Sequence, residues 1–386
     1  MTSKLHTFHR SQGLTQSQTL TNLILFFQPK IFLSLPLVKI TMSLLTLDQV
    51  SGIQSLLSEK RRIVLTTHTN PDGDAIGSSM AMSRYLRKKG HDVIAIVPNQ
   101  FPGFLSWIPG VGEMLTYENK AKACQLALRE ADLVFCLDYN ALNRVGTLTD
   151  ILKKTEAPRI LIDHHIDPET ASFKYCFSTT NTSSTAELVF DFMELMGDTD
   201  LIDKEIAECL YTGIITDTGS FSFSANNEKT YRVTAELIHH GLDALKIHRL
   251  IYDTFSEDRL RLLGHAISNR MVVWDELKTA LIYFDRNDLK EFNYQVGDAE
   301  GVVNFPLSME KINLSILITE RDKKIRMSFR SKGDFSVNQL ARQYFNGGGH
   351  KNAAGGTYFK SVPETIKAIK HILSECKEDL NYKIDY

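Results

Sequence analysis

Four short segments carry the side chains that hold divalent cations and move protons. The first is His68-Thr-Asn-Pro-Asp72-Gly-Asp74-Ala-Ile-Gly-Ser78; the others are Asp138, Asp163-His164-His165 and Thr216-Asp217-Thr-Gly-Ser-Phe221. Pro71 and Gly73 keep the first segment out of helical geometry, so His68, Asp72 and Asp74 can curl around a common centre. Asp74 is placed to cap the helix that follows, whose N-terminus favours an anion. Each segment also has a plain structural reading. N-P-D-G is good turn chemistry, an aspartate after a strand is often a cap, paired loop histidines are often solvated, and Gly219 can simply end a helix. A calcium loop does not fit, because the D-x-D-x-D-G run breaks at Ile76.

Position lifts these segments above turn chemistry. Residues 63–67 (IVLTT), 93–97 (VIAIV), Leu133–Leu137 (LVFCL) and 160–162 (ILI) read as buried strands. Helical stretches at 75–89, closed by Gly90, and at 121–130 lie between them. The alternation predicts an α/β fold with a mostly parallel sheet flanked by helices. Three of the four segments then fall at carboxyl ends of strands, the edge where open α/β sheets bind ligands. His68, Asp72, Asp74, Asp138, His164 and Asp217 can converge there. Carboxylates and imidazoles without thiolates suit manganese or magnesium better than a structural zinc. Four carboxylates offset the charge of two divalent ions. Two such ions roughly 3.5–4 Å apart are the clamp that hydrolyses phosphoesters, lowering the pKa of the water between them and stabilising the attacking and leaving oxygens.

The remaining pattern predicts helices at 184–197, 203–216, 228–241 and 256–271, then strands at Thr279–Phe284, 312–319 and 325–329. A helix at 337–345, a glycine-rich turn and a closing helix at 363–376 complete it. The 386 residues suit two domains: a metal-binding domain at 42–230, a helical connector at 231–268 and a smaller α/β substrate domain at 269–386. Residues 20–40 are apolar but interrupted by Gln28, Pro29, Lys30, Pro36 and Lys39, too broken for a membrane helix and without a secretory cleavage site. Regular patterning starts after Met42, so the expectation is that Met42 is the natural start and 1–41 a loose or mis-assigned extension. A formal net charge of −2 lacks the basic excess that grips long nucleic acid. Five scattered cysteines, with no C-x-x-C pair, point to reduced thiols and a cytoplasmic protein without a disulfide framework.

In motif order and spacing, HTNPDGD, Leu137-Asp138, DHH and TDTGSF resemble the DHH phosphoesterase superfamily, named for Asp163-His164-His165. Phe329-Arg-Ser-Lys-Gly333 and Gly347-Gly-Gly-His-Lys-Asn-Ala-Ala-Gly-Gly356 resemble its DHH-associated substrate domain, so the likeness runs from about Ser43 to the C-terminus. Carried over by motif position, the resemblance implies His68, Asp72 and Asp138 on one metal, and Asp74, Asp138, His164 and Asp217 on the other, with Asp138 shared. It implies that His165 contacts the scissile phosphate, while Asp163 orients a ligand from behind. Arg330 would grip a phosphate, Gly348 and Gly349 would let the backbone approach it, and His350 would add a donor. The chain is short and not basic, like the compact branch that degrades nanoRNA, from an end or 3′ to 5′, and converts 3′-phosphoadenosine 5′-phosphate (pAp) to AMP and phosphate. A cyclic-di-AMP or pApA phosphodiesterase is the alternative within the family. A non-catalytic nucleotide- or RNA-binding module is the alternative outside it. The expected partners are two divalent ions, manganese before magnesium, and a small nucleotide or very short RNA. No membrane and no long duplex are expected; relatives are often homodimers.

Overall fold

The computed structural model describes residues 44–223, 226–321 and 323–384. Leu133–Leu137 forms a strand, β4, buried at every residue, as a parallel strand covered on both faces requires. It belongs to a six-stranded sheet with β1 (Arg62–Thr66), β2 (Asp92–Val97), β3 (Leu115–Thr116), β5 (Arg159–Asp163) and β6 (Tyr175–Ser178). The order is β3-β2-β1-β4-β5-β6, and every pairing is parallel. The chain steps outward from β1 to β3, then returns to the centre and steps the other way from β4 to β6. The reversal lies between β1 and β4, and that crevice is the ligand position of a doubly wound sheet.

Alternate strand residues enter different cores. Ile63, Leu65, Phe135 and Ile162 join one cluster, Val64, Val134, Cys136 and Leu161 another, so both faces are covered. The covering helices are α1 (Leu47–Leu56), α2 (Gly73–Lys88), α3 (Tyr117–Arg129), α4 (Thr149–Lys154), α5 (Thr185–Leu195), α6 (Lys204–Asp217), α7 (Glu228–His239) and α8 (Ala244–Tyr252). Helices α2 and α6 run antiparallel at a separation that needs glycine. A Cβ at Gly77 would fall 2.5 Å from the Cys209 carbonyl oxygen, and one at Gly213 2.4 Å from Ala186 Cβ and 2.6 Å from Asp74 Oδ1. That contact sets the C-terminus of α6, with Asp217, beside the N-terminus of α2, with Asp74.

Helix α9 (Glu257–Asn269) leads to a second six-stranded sheet: β7 (Met271–Trp274), β8 (Thr279–Phe284), β9 (Leu314–Arg321), β10 (Lys324–Ser331), β11 (Gly348–Gly349) and β12 (Ala353–Tyr358). Its order is β11-β12-β10-β9-β8-β7, antiparallel except between β8 and β9. Helices α10 (Arg286–Glu291), α11 (Val337–Tyr344), α12 (Val362–Glu375) and α13 (Lys377–Leu380) accompany it.

The expected strands and helices are present, mostly within two residues of their expected ends. Five strands and the helices α4, α8, α10 and α13 escape the pattern. β3 and β11 have two residues each, β6 (YCFS) buries only Phe177, and β12 (AAGGTY) has no alternation. β7 was absorbed into the helix expected at 256–271, which ends at Asn269. Asp74 does not cap α2: the helix begins at Gly73, and Asp72 is the cap, accepting from the Asp74 and Ala75 N–H groups at 3.1 Å each. The reading of 1–41 as an extension lies outside the described residues. Among the described residues, no helix is long and apolar enough to cross a membrane.

Candidate metal centre and its cleft

The carboxyl ends of β1, β4 and β5 deliver His68, Asp138 and Asp163-His164-His165 to one point. Asp138 takes a left-handed backbone, φ 64°, which an aspartate tolerates, while its N–H donates to the Ile162 carbonyl at 3.1 Å. This turn aims its carboxylate two ways. Oδ2 lies 3.3 Å from His68 Nε2, and Oδ1 lies 3.6 Å from His164 Nε2. His68 Nδ1 is 2.9 Å from the Thr69 carbonyl oxygen, and donating there leaves the Nε2 lone pair for a cation. Asp72 Oδ1 stands 4.0 Å from that same Nε2.

On the other side, His164 Nε2 is 3.5 Å from Asp217 Oδ2 and 3.8 Å from Asp74 Oδ2. Asp74 is buried and held by the start of α5, accepting from Thr185 N–H at 2.7 Å and Ala186 N–H at 2.8 Å. The Thr185 hydroxyl donates to Asp138 Oδ1 at 3.0 Å, so one threonine steadies both aspartates. Nothing in the sequence reading singled out Thr185. The signal was there: Ser184-Thr-Ala-Glu187 is a capping sequence, and Ser184 caps α5 through the Glu187 N–H at 3.1 Å.

Among the described residues four donor clusters have their donor atoms within 4.8 Å of one another: His68–Asp72–Asp138 and Asp74–His164–Asp217, which hold the expected ligands, and beside them Asp138–Asp163–His165 and His164–His165–His350. Four carboxylates crowd here with no lysine or arginine ion-paired to them among the described residues. The electrostatics register that deficit. Burial, then the charges of Asp138 and Asp217, push the Asp74 carboxyl far above its usual range. Burial together with Asp72 and Asp138 pushes Asp217 up to about 6, against the pull of His164. Burial opposes charge at His68, but the Asp138 hydrogen bond and the Asp72 and Asp138 charges raise it to about 9. For Asp138 burial is overcome by the His68 hydrogen bond and the surrounding imidazoles, which hold it well below the carboxylate range. Buried carboxylates short of counter-charge, with imidazole lone pairs aimed among them, fit divalent cations.

Asp163 is fully buried, within 4.8 Å of donor atoms of Asp138 and His165, and among the described residues its side chain hydrogen-bonds His165 alone. It accepts from His165 N–H at 3.1 Å and from His165 Nδ1 at 2.7 Å, which fixes the ring. His165 is itself covered: the His350 ring stacks on it, centroids 4.5 Å apart and planes 19° apart. His350 also lies 4.5 Å from the His164 ring, and burial followed by the charges of those two histidines lowers its pKa to about 2.

A cleft of roughly 940 Å³ opens in front of the centre. Asp72, His164 and Asp217 line one wall; Arg330 and His350 line another. His165 is not among the lining residues, because His350 lies over it. Gly348 and Gly349 are not either, and a different demand explains the glycine run. A Cβ at Gly347 would sit 2.0 Å from the Gly355 carbonyl oxygen, and one at Gly349 2.4 Å from that of Ala353. Gly347 and Gly349 must be glycine for β11 to close on β12, while Gly348 has room for a Cβ, and the residues that reach the cleft are His350–Ala353. The sequence reading also missed the far end of the cleft, formed by Phe104, Phe255, Arg259, Glu300 and Phe305.

A cation-poor set of aspartates and histidines at the switch point of a parallel sheet, facing a basic wall from a second sheet, is the site of a metal-dependent phosphoesterase. The chain belongs to the DHH family: residues 62–214 match the DHH family N-terminal domain and 278–378 the DHHA1 domain. Among solved structures it is similar to an exopolyphosphatase-related protein from Bacteroides fragilis, with 39% identity and TM-score 0.82, covering 87% of this chain and 98% of that one. It is similar to the bifunctional oligoribonuclease and PAP phosphatase NrnA of Bacillus subtilis, 27% identical over 82% of this chain and 95% of that protein. It is also similar to the cyclic-di-AMP phosphodiesterase GdpP of the same organism, 26% identical over 84% of this chain but 49% of that protein.

Proposed function

We propose that this chain hydrolyses short oligoribonucleotides and removes the 3′-phosphate of pAp. The observation that carries the reading is Asp138, whose two carboxylate oxygens face different imidazoles, His68 and His164, and so join two donor clusters at the mouth of the cleft. His68, Asp72 and Asp138 would hold one divalent ion; Asp74, Asp138, His164 and Asp217 would hold the other. Such a pair supplies an activated water and charge neutralisation for an in-line displacement. A manganese pair suits the mixed donors, with magnesium as the substitute.

The chain's own groups do the rest. Thr185 steadies the shared aspartate, and Asp163 holds the His165 ring by its Nδ1, leaving Nε2 clear of that bond while the ring face meets His350. His165 reaches a phosphate once His350 moves aside. Arg330 lines the cleft opposite Asp217, and only its contact with the Phe329 carbonyl, 2.9 Å, occupies its donors among the described residues. The remaining N–H edge suits a phosphate, bidentately. The cleft volume holds a nucleotide with room for a second, not a long strand.

Nearly end-to-end similarity to NrnA supports this reading over the cyclic-di-AMP phosphodiesterase, of which this chain spans half the length. The test is a manganese-supplemented panel of pAp, a two-residue RNA, pApA, cyclic-di-AMP, pyrophosphate and long single-stranded DNA. Turnover of pAp and the short RNA, abolished by chelation, is expected. Preference for cyclic-di-AMP replaces the reading with the second-messenger alternative. Metal binding without any product leaves only a binding module.

A further inference from the structure

The far end of the cleft is built differently from the metal end. Arg259, on α9, is 8% exposed, and its guanidinium carbon lies 3.6 Å from the Phe255 ring centre and 5.4 Å from that of Phe104. The aromatic rings hold the guanidinium plane. Yet its side chain has one hydrogen bond among the described residues, to the Glu300 carbonyl at the 3.5 Å limit. The nearby acidic groups are Glu300 and Asp298, both lining the cleft with it. No hydrogen bond or ion pair engages the Glu300 carboxyl among the described residues; its side chain is exposed on the cleft wall, while burial of the carboxyl, followed by the charge of Asp72, raises it to about 8 against the pull of Arg259. Asn304 is on the same wall, its amide oxygen without a partner among those residues. Phe305, 47% exposed, offers a bare ring face.

A phosphate does not suit this end, because the one guanidinium is flanked by two acidic side chains, Asp298 and Glu300, and gains no second cation from the cleft wall around it. What suits it is a flat, neutral group with paired acceptors on one edge and paired donors on the next. Guanine has both: O6 and N7 accept from a guanidinium bidentately, and N1–H and the 2-amino group donate to a carboxylate. Uracil has no adjacent pair of acceptors, and cytosine, whose N3 and O2 form one, lacks the paired donors.

We propose that Arg259 and Glu300 form a guanine-selective base pocket, with Phe305 as a stacking face, that holds a base of the substrate away from the metal centre. This rests on reading the cleft as a nucleotide site. Arg259 supplies the acceptor-reading fork, Glu300 the donor-reading edge, and neither touches the reacting phosphate.

The experiment is equilibrium binding of GMP, AMP, CMP and UMP to the purified full chain with manganese, which needs no turnover. GMP should bind tighter than UMP by about 5- to 150-fold, the worth of one bidentate base contact. Glu300→Gln, at an exposed and unengaged side chain, and Arg259→Lys should each erase most of that preference while leaving UMP affinity within about twofold. Equal affinity for all four nucleotides overturns the base pocket but leaves the nucleotide cleft standing. No binding of any of them overturns both. An equal loss for all four nucleotides in both variants, or a preserved preference, shows that the pair is structural and overturns the assignment.

Discussion

Gly213→Ala tests whether the helix contact behind the site, and not only its ligands, sets the metal geometry. The new Cβ would fall 2.4 Å from Ala186 Cβ and 2.6 Å from Asp74 Oδ1. Ordinary contact begins near 3.4 Å, so something must move by about 1 Å. Neither neighbour can yield alone, because Asp74 is hydrogen-bonded to the Thr185 and Ala186 N–H groups. The three helices α2, α5 and α6 are pinned together at this point. Overpacking of this kind costs about 1–3 kcal/mol, while alanine in a helix interior returns about 1 kcal/mol relative to glycine. The steric term should win, by up to about 2 kcal/mol net, lowering the thermal midpoint by as much as about 8 °C at about 2–4 °C per kcal/mol. The displaced Asp74 should also weaken manganese binding by at least about tenfold, the scale of losing ligand orientation. Gly264→Ala is the contrast: that helical glycine has open space where a Cβ would go. It should raise the midpoint slightly, by the propensity gain of up to about 1 kcal/mol. Scanning calorimetry and manganese titration read both outcomes. If Gly213→Ala melts at or above the parent temperature with unchanged manganese affinity, the proposed locking of the site by helix packing is wrong.

The remaining predictions concern single groups. Asp138→Ala removes the carboxylate facing both His68 and His164, so turnover of pAp and short RNA should fall below detection and bound manganese should decrease; activity within about tenfold of the parent contradicts a shared ligand. Arg330→Ala should raise KM for pAp by roughly 10- to 100-fold, the worth of a charge-assisted hydrogen bond, with a smaller change in kcat; an unchanged KM removes Arg330 from the substrate contacts. Asp191→Asn addresses pH. Burial raises the Asp191 carboxyl to about 7, against the pull of Lys229 and with the charges of Glu187 and Glu194 adding to the rise. The folded state therefore binds a proton more tightly than the unfolded one. That contribution to stability is fully present below the unfolded pKa of about 4 and is lost as pH rises through about 7. The parent should exceed the variant in thermal midpoint by more at pH 5 than at pH 8, and a pH-independent difference refutes the shift.

What the sequence could reveal followed from which interactions are local. The metal-binding side chains sit next to strands that are continuous apolar runs, so both the strand and the residue at its end are legible together: Leu133–Leu137 followed by Asp138 is the clearest case. The parallel sheet was expected on the same ground, and the switch point between β1 and β4 gives those strand ends one crevice. Strands that close a sheet by pairing alone left no such trace. β12 carries two glycines where apolar residues would announce a strand, because the backbone of β11 must come against it. The glycine run before His350 answers to a local demand as well: Gly347 and Gly349 leave no room for a Cβ against β12.

The supporting residues were hidden by sequence distance. Thr185 lies 111 residues from Asp74 and 47 from Asp138, yet its N–H serves one and its hydroxyl the other. Arg259 stands 155 positions after Phe104, whose ring it faces. Residues that bind or position through such contacts carry no spacing of their own, and their chemistry depends on which wall the fold sets them against. Asp72 shows how the two kinds of information meet. Its place in N-P-D-G marks a turn, and the same Oδ1 that caps α2 stands 4.0 Å from His68 Nε2. The turn reading and the metal reading describe one oxygen. A cation there would share that carboxylate with the first N–H groups of α2, so filling the site should stiffen the N-terminus of the helix as well as neutralise the aspartates.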